Sequence, residues 1–588
     1  MKTSLFVTAA ICALCATTSM YIPTGGVLAQ NSSNQPALAK GETSAAQEVW
    51  RRRVAYFQDL SDEAADLAVD QSGNVYVTGK VTDAGKDYNY GTTRYNQDGN
   101  IAWGPIVEKG RQAYNHEATA IALDDDYVYV TGKIAGSDGD YTFGTIKYDR
   151  RNGSRVWSRQ ENGAADPAGV ANPDEAVAIA VDAQGNVYVA GNSFSAAREW
   201  SYKAVKYDRD GNLKWTALSD ANENSANPDK VFAMAVDAAG NVYVTGIGYY
   251  DDAALDDYMT IKYNGDDGQM LWKKFYHGDA EDQPLALALD RAGHVFVTGR
   301  SKNSSGDWDF LTIKYNAANG AELKTVAYNG GDNDMPTALA IDAAGNVFVT
   351  GGSQHAENSY DYLTIKYNAG LGSVWTRRYN NPGANDYDVA NDLALDAAGN
   401  VYVTGLSSRG QDGGYDYATV KYDSQGAESW AIRYEGPGDD IPSAIALDQE
   451  GHVYVTGYSE KTPGADQDYL TIKYEQSAVT RVEQPQTAPV YDYQLAQNYP
   501  NPFNPETKFV FALPQAGEVK LNIYSLTGQL VRALVDGKIA AGRHEIPWNG
   551  QDQFGLTVAN GVYWYQLIVT GEGGKMAFRE TKKMAVLK

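Results

Sequence analysis

The side chains that usually carry chemistry are present in this chain, but their spacing argues against a catalytic or metal centre. Six histidines, His116, His277, His294, His355, His452 and His544, stand singly, with no H-x-x-x-H or H-E-x-x-H pairing. None therefore presents the paired imidazoles that a zinc site on one helix face requires. No nucleophile elbow or phosphate-binding loop occurs. The 74 Asp and Glu outnumber the 49 Lys and Arg, so adjacent carboxylates are too common to single out a glycosidase pair. The net charge of −25 also repels nucleic acid and anionic membrane. The expectation is no catalytic residue, no cofactor and no metal ligand.

The polar residues that do recur come once per repeat. The phrase D-A-A-G-N-V-Y-V-T-G at Asp237–Gly246 returns in close variants, with its Asp at 70, 124, 182, 237, 290, 342, 396 and 448, roughly 52 to 58 residues apart. Asp, Gly and Asn in that order suit a tight turn, because the side-chain oxygens accept nearby backbone N–H groups and Gly tolerates positive φ. His294 and His452 stand where the other copies carry the turn Asn, and read as turn substitutions. A calcium loop is the competing reading, but D-x-x-G-N lacks the run of oxygen ligands such a loop needs. Only Asp208–Asn212 (DRDGN) comes close. A second phrase, T-I-K-Y, places Lys147, Lys206, Lys262, Lys314, Lys366, Lys421 and Lys473, with Arg94 in the first copy, one cation per repeat. A catalytic lysine is needed once, so the set reads as structural, pairing with Asp257, Asp309, Asp361, Asp416 and Asp468 near the start of the same strands. The tyrosine closing each motif, from Tyr95 to Tyr474, reads as packing between sheets.

The elements that position these residues are short strands. Each copy holds an alternating run ending in the Asp, the V-x-V-T-G strand, the T-I-K-Y strand and an aromatic strand such as Val374–Tyr379. Four strands repeated eight times, apolar on both faces at their centre, describe sheets packed around an axis, an all-β propeller. Eight blades are expected, with seven as the alternative if the irregular second copy at Asp124–Gly132 lies outside the ring. The eighth copy ends after Tyr474 without its aromatic strand, while Val49–Tyr56 (VWRRRVAY) precedes the first and resembles that strand. The N-terminal segment is therefore expected to complete the last blade. These residues resemble the bacterial SBBP β-propeller repeat family over Val49 to about Tyr474, a likeness that specifies a fold and leaves activity open.

Outside the repeats, residues 1–29 read as a secretory signal peptide ending at Val27-Leu28-Ala29. Both cysteines, Cys12 and Cys15, lie inside it, which leaves the mature chain without disulfides or thiol chemistry. No other apolar stretch is long enough to span a bilayer. A spacer (30–46), the propeller (47–475) and a polar, Pro-containing linker (476–492) precede a small β-sandwich (493–588). In that last domain NYPNPFNP at Asn498–Pro505 and KKMAVLK at Lys582–Lys588 resemble the C-terminal sorting domain of type IX secretion substrates, which is related to immunoglobulin-like domains of flagellar hook-capping proteins. The resemblance implies export and delivery to the cell surface or medium, with the type IX machinery as partner.

The expected function is binding or adhesion to a glycan or protein ligand. The alternatives are a secreted propeller enzyme of quinoprotein, lyase or glycosidase type, or a structural surface-layer component. In an antiparallel meander the connections alternate between the two ends of a sheet, so the short D-A-A-G-N turns share one face of the ring and the long, variable loops share the other. The candidate ligand-binding residues lie on the long-loop face: Trp200, Trp308, Tyr360 and Tyr415 near the starts of third strands, with Tyr88 and Tyr141 at matching positions, and Tyr249 and Tyr250 in a loop.

Overall fold

A computed structural model describes residues 46–587 except 58–59, 86, 110–114, 137–140, 162–173, 196–198, 220–228, 250–254, 279, 356–358, 382–386, 411–413, 465, 477–492, 499, 504–505, 541 and 571–575. Residues 1–29, read above as a signal peptide, nearly all of the expected spacer and linker, and Tyr250 lie outside the described residues. The chain forms two compact units, divided between Ala478 and Val479.

The first unit is eight separate four-stranded antiparallel sheets. Seven are simple meanders. In blade 1, Asp62–Val69, Val75–Thr82, Tyr88–Tyr95 and Ile101–Glu108 follow one another from the inside outward. The eighth takes Asp440–Leu447, Val453–Glu460 and Gln467–Gln476 from the end of the repeat array and its outer strand, Ala46–Val54, from the chain's beginning. The first strand of each sheet packs on the first strand of the next, and Asp440–Leu447 packs back on Asp62–Val69. The irregular second copy (Glu117–Leu123 to Arg155–Glu161) is an ordinary member of the ring.

The repeated phrases explain why the sheets form and stack. Every first strand carries a bulge one or two residues after its start, as between Ala64 and Asp66 and between Ala118 and Ala120, which bends the strand where it lines the axis. The glycine of V-T-G lies opposite, because no side chain fits there. A Cβ on Gly351 would stand 2.0 Å from the Met335 carbonyl oxygen. In the turn, Asp237 Oδ1 accepts the N–H groups of Ala239 and Asn241, both at 2.9 Å, while Oδ2 accepts Asn241 Nδ2 (2.9 Å) and the Tyr243 hydroxyl (3.0 Å). His294 and His452 take the Asn role, each placing Nδ1 on the turn carboxylate at 2.7 and 2.6 Å.

The T-I-K-Y cations do something other than pair with the carboxylates near the start of their strands. Asp257 and Lys262 are five residues apart, roughly 17 Å along an extended strand and on opposite faces of the sheet. Lys262 Nζ instead donates to the Ala317 carbonyl of the next blade at 2.9 Å, and the Trp272 indole N–H donates to the same oxygen at 3.1 Å. The cation also sits 4.9 Å from the Tyr243 ring centroid, an attraction added to the hydrogen bond. The same clamp recurs around the ring, with Lys147 and Trp157 sharing the Arg209 carbonyl and Lys366 and Trp375 sharing that of Ser424. The closing tyrosines pack across sheets, Tyr315 on Trp272 and Tyr422 on Trp375.

The second unit is a β-sandwich. A three-stranded sheet (Gln494–Leu495, Thr507–Leu513, Gly542–Trp548) faces a four-stranded one (Leu530–Ile539, Gly517–Tyr524, Gly561–Thr570, Met576–Val586). Phe509, Phe511, Leu521, Trp548, Tyr565 and Leu567 form its core.

Candidate functional site

At the long-loop end each blade opens with a buried polar residue, eight positions before its turn Asp. Asp62, Asp174, Asp229, Asp282, Asp334, Asp388 and Asp440 are at most 3 % exposed, and His116 takes the place in blade 2. These carboxylates accept the N–H groups of the incoming loop and of the second strand. Asp62 accepts from Tyr56 (2.7 Å) and Thr82 (3.0 Å), and Asp440 accepts from Gly436 (2.8 Å). Burial outweighs these bonds and raises the carboxyl pKa, to about 8 at Asp62, about 7 at Asp440 and about 6 at Asp282 and Asp334. Asp174 alone meets a fully buried lysine, Lys203, at 2.8 Å. These residues anchor the loop face.

The third-strand aromatics lie beside them and stitch blade to blade. The Trp200 carbonyl accepts the N–H of Asp229 at 3.1 Å, and that of Tyr88 accepts the N–H of His116 at 2.8 Å. Their rings are half-buried and have different neighbours. Trp200 meets Phe194 edge-on at 5.6 Å. Tyr88 and Tyr141 lie under Lys80 and Lys133 at 5.0 and 5.7 Å. Trp308 has the Arg300 guanidinium over its ring at 4.3 Å and the Lys302 ammonium at 5.1 Å. Tyr360 and Tyr415 are joined through Tyr387, with ring centroids 5.1 and 6.2 Å apart. Tyr387 is a residue that repeat reasoning overlooked, since it lies in the connection before blade 7 and has no counterpart in the phrases.

Tyr249 is not an exposed loop aromatic. It is 8 % exposed and donates its hydroxyl to Asp256 Oδ1 at 2.8 Å. The second strand of blade 4 continues in register past the V-T-G motif, so Tyr249 falls beside blade 4's own third strand rather than at a loop tip. Burial and the Asp256 carboxylate both raise its pKa.

The comparisons with known proteins fit this architecture. Residues 374–409 match the SBBP β-propeller repeat, and residues 501–574 match the FlgD Ig-like domain. No curated protein sequence matches the chain significantly. Among solved structures, the quinohemoprotein alcohol dehydrogenase of Comamonas testosteroni is 12 % identical, covering 78 % of this chain and 80 % of its own at a TM-score of 0.48. PorZ, a surface component of the type-IX secretion system of Porphyromonas gingivalis, is 14 % identical, covering 90 % and 74 % at a TM-score of 0.31. Sqt1 of Chaetomium thermophilum is 12 % identical, covering 73 % and 99 % at 0.44. At these values the likenesses carry nothing about activity.

At the opposite, short-turn end the carboxylates are engaged by their own turns. Asp208, the nearest approach to a calcium loop, accepts the N–H groups of Asp210 (3.0 Å) and Asn212 (2.8 Å) on Oδ1 and Asn212 Nδ2 (3.0 Å) on Oδ2. Among the described residues, Asp448, Glu450 and His452 lie close enough together to share a cation, yet Asp448 is already held by His452 and by the Tyr454 hydroxyl at 2.8 Å. The crevice at this end, about 470 Å³ between Asp124–Asp126, Asp182–Gly185 and Arg209, is open and mixed in charge.

Proposed function

We propose that this chain is a secreted or outer-surface binding protein that holds a glycan or protein ligand on the long-loop face of its propeller and catalyses no reaction. The observation that carries the reading is the aromatic arc of Tyr360, Tyr387 and Tyr415, three half-buried rings in contact across blades 6 and 7. Half-exposed tyrosines offer a large contact area at little cost in side-chain entropy, and they anchor ligands for that reason. Beside them, Met335 and Ile441 at the inner rim are apolar and also half-buried.

The C-terminal sandwich serves delivery in this reading. Its match to the FlgD Ig-like domain, together with NYPNPFNP and the terminal KKMAVLK, supports recognition by a type IX secretion apparatus after the N-terminal signal has directed passage across the inner membrane. Two experiments test the halves separately. Glycan and protein arrays probed with the full-length protein should give a ligand whose binding weakens about tenfold or more on Tyr387→Ala, and a ligand indifferent to that change would place binding elsewhere. Removal of residues 493–588 should retain the protein inside a type IX-competent cell, and normal surface delivery of the truncated chain would refute the sorting role.

A further inference from the structure

The register of the sheets leaves Arg300 of blade 5 opposite a neutral side chain on the loop face. The residue after the V-T-G glycine pairs across the sheet with the residue after the buried Asp: Lys80 with Glu63, Lys133 with Glu117, and Arg300 with Gln283. In blades 1 and 2 the pair is ionic, at 2.9 and 3.2 Å, and Lys133 reaches Glu175 of blade 3 as well, at 3.6 Å. Blade 5 keeps the cation and replaces the glutamate by a neutral amide. Arg300 consequently makes no carboxylate ion pair among the described residues. Its Nε and Nη2 both donate to Gln283 Oε1, at 3.0 and 2.5 Å, and no described residue receives a hydrogen bond from Nη1.

This guanidinium is held rigidly. Gln283 is oriented by donating its Nε2 to Asp256 Oδ2, and Asp256 is fixed through Oδ1 by the Tyr249 hydroxyl. On its other side Arg300 stacks on Trp308. The nearby Glu281 is taken by Lys302, and Asp256 is hydrogen-bonded to the amide rather than to Arg300, so both carboxylates act on the guanidinium only at a distance. Tyr360 lies close enough for the Arg300 charge to act on its phenol. Gly352 makes its bed, since a Cβ there would stand 3.3 Å from the Tyr360 ring and 3.0 Å from Val389. A partly buried cation whose register partner has lost its charge is costly unless an anion completes it, and a planar guanidinium with a free edge suits a carboxylate or sulfate.

We infer that the ligand of this face is an anionic saccharide chain, with one acidic group on Arg300 between Trp308 and Tyr360 and successive sugar rings along Tyr360, Tyr387 and Tyr415. The inference rests on the loop-face reading above and gives it a substrate class. The apolar faces of linked pyranose rings fit a row of tyrosines, and a saccharide supplies the repeated rings and the charge together.

Calorimetric titration of the full-length protein with an oligogalacturonate hexamer, its fully methyl-esterified form and a sulfated galactan hexamer tests it. The acid or the sulfate should bind about tenfold or more tightly than the neutral ester, and whichever does so identifies the anion. Arg300→Gln should erase that preference. Gln283→Glu should do the same, because it installs the pair that blades 1 and 2 already carry, at the cost of the hydrogen bond to Asp256. Tyr360→Ala should weaken all three ligands together. Equal binding of acid, sulfate and ester, still weakened by Tyr360→Ala, would overturn the anionic class and leave the face intact. Binding of none of the three, or binding that ignores Tyr360→Ala, would overturn the saccharide assignment, and in the second case the face as well.

Discussion

Each first strand is bracketed by two polar positions that recur from blade to blade, and in most blades both are aspartate, eight residues apart in opposite surroundings. Asp62, Asp174 and Asp440 at the loop end have raised pKa values because burial dominates. Asp70, Asp182 and Asp448 at the turn end are lowered: burial pushes them up, and the Asn or His, backbone and Tyr hydrogen bonds outweigh it. The same side chain thus serves as a saturated acceptor at one end and as a buried anchor that holds its proton more tightly at the other. The turn end is built to one plan, shortened by a residue in blade 2, and contributes stability. The loop end varies from blade to blade, and the proposed ligand site lies there.

Several changes would break or sharpen that division. The largest effect is expected for Trp50→Ala at the turn end, where the indole donates to the Gln97 carbonyl at 3.0 Å and packs on Tyr95 and Tyr454 across the ring's closure. A loss of about 3 to 5 kcal/mol in denaturant unfolding, with ligand affinity unchanged in the surviving native protein, is the expected outcome. Asp237→Ala removes one acceptor of four hydrogen bonds and should cost about 2 kcal/mol, again without touching binding.

A smaller effect, on the order of 1 kcal/mol, is expected from pH alone. Loop-end carboxyls with raised folded pKa values favour the native state while protonated. Their contribution is complete below about pH 4 and is lost as pH rises through about 6 to 8. Turn-end carboxyls with lowered values contribute above about pH 4 and lose that contribution as pH falls through their folded values. The melting temperature should therefore peak on the acid side of neutrality and decline toward pH 8, and a flat profile from pH 5 to 8 would contradict the assignment. The smallest change in stability, below about 1 kcal/mol, is expected for Tyr360→Ala, whose ring is half-exposed, although binding should fall about tenfold.

The ring and its closing strand were legible in the sequence because turn geometry and the bulge glycine impose the same letters eight times, and Val49–Tyr56 repeats the aromatic strand. The strand itself begins at Ala46, ahead of the recognisable aromatic stretch. The spacing of the two aspartates was also legible as D-x7-D, but only burial gives it meaning. The lysine clamp was misread because its partner is a backbone carbonyl of the next blade, which no side-chain pattern reveals. Tyr249 follows the strand Val242–Gly248, as its loop position implied, but its burial against Asp256 is a contact that loop length alone does not reveal. Arg300 and Gln283 of blade 5 meet Asp256 of blade 4, Tyr387 of blade 7 meets Tyr360 of blade 6, and such single departures from a repeat stand out only once register shows which partner is missing.

The strand Ala46–Val54 pairs with residues more than 400 positions later, with Arg53 Nη1 bonded to the Ser459 carbonyl across a separation of 406. Joining ends so distant costs about 5 kcal/mol of loop entropy before any contact rewards it. It also sets an order of events. A chain that emerges amino-terminus first makes its outermost strand long before the sheet that receives it, so blades 1 to 7 are free to assemble while that strand waits with an unpaired edge. The ring is thus a slow latch: the propeller acquires its full cooperativity only when the end of the repeat array arrives, and until then the protein remains an open, threadable array of sheets.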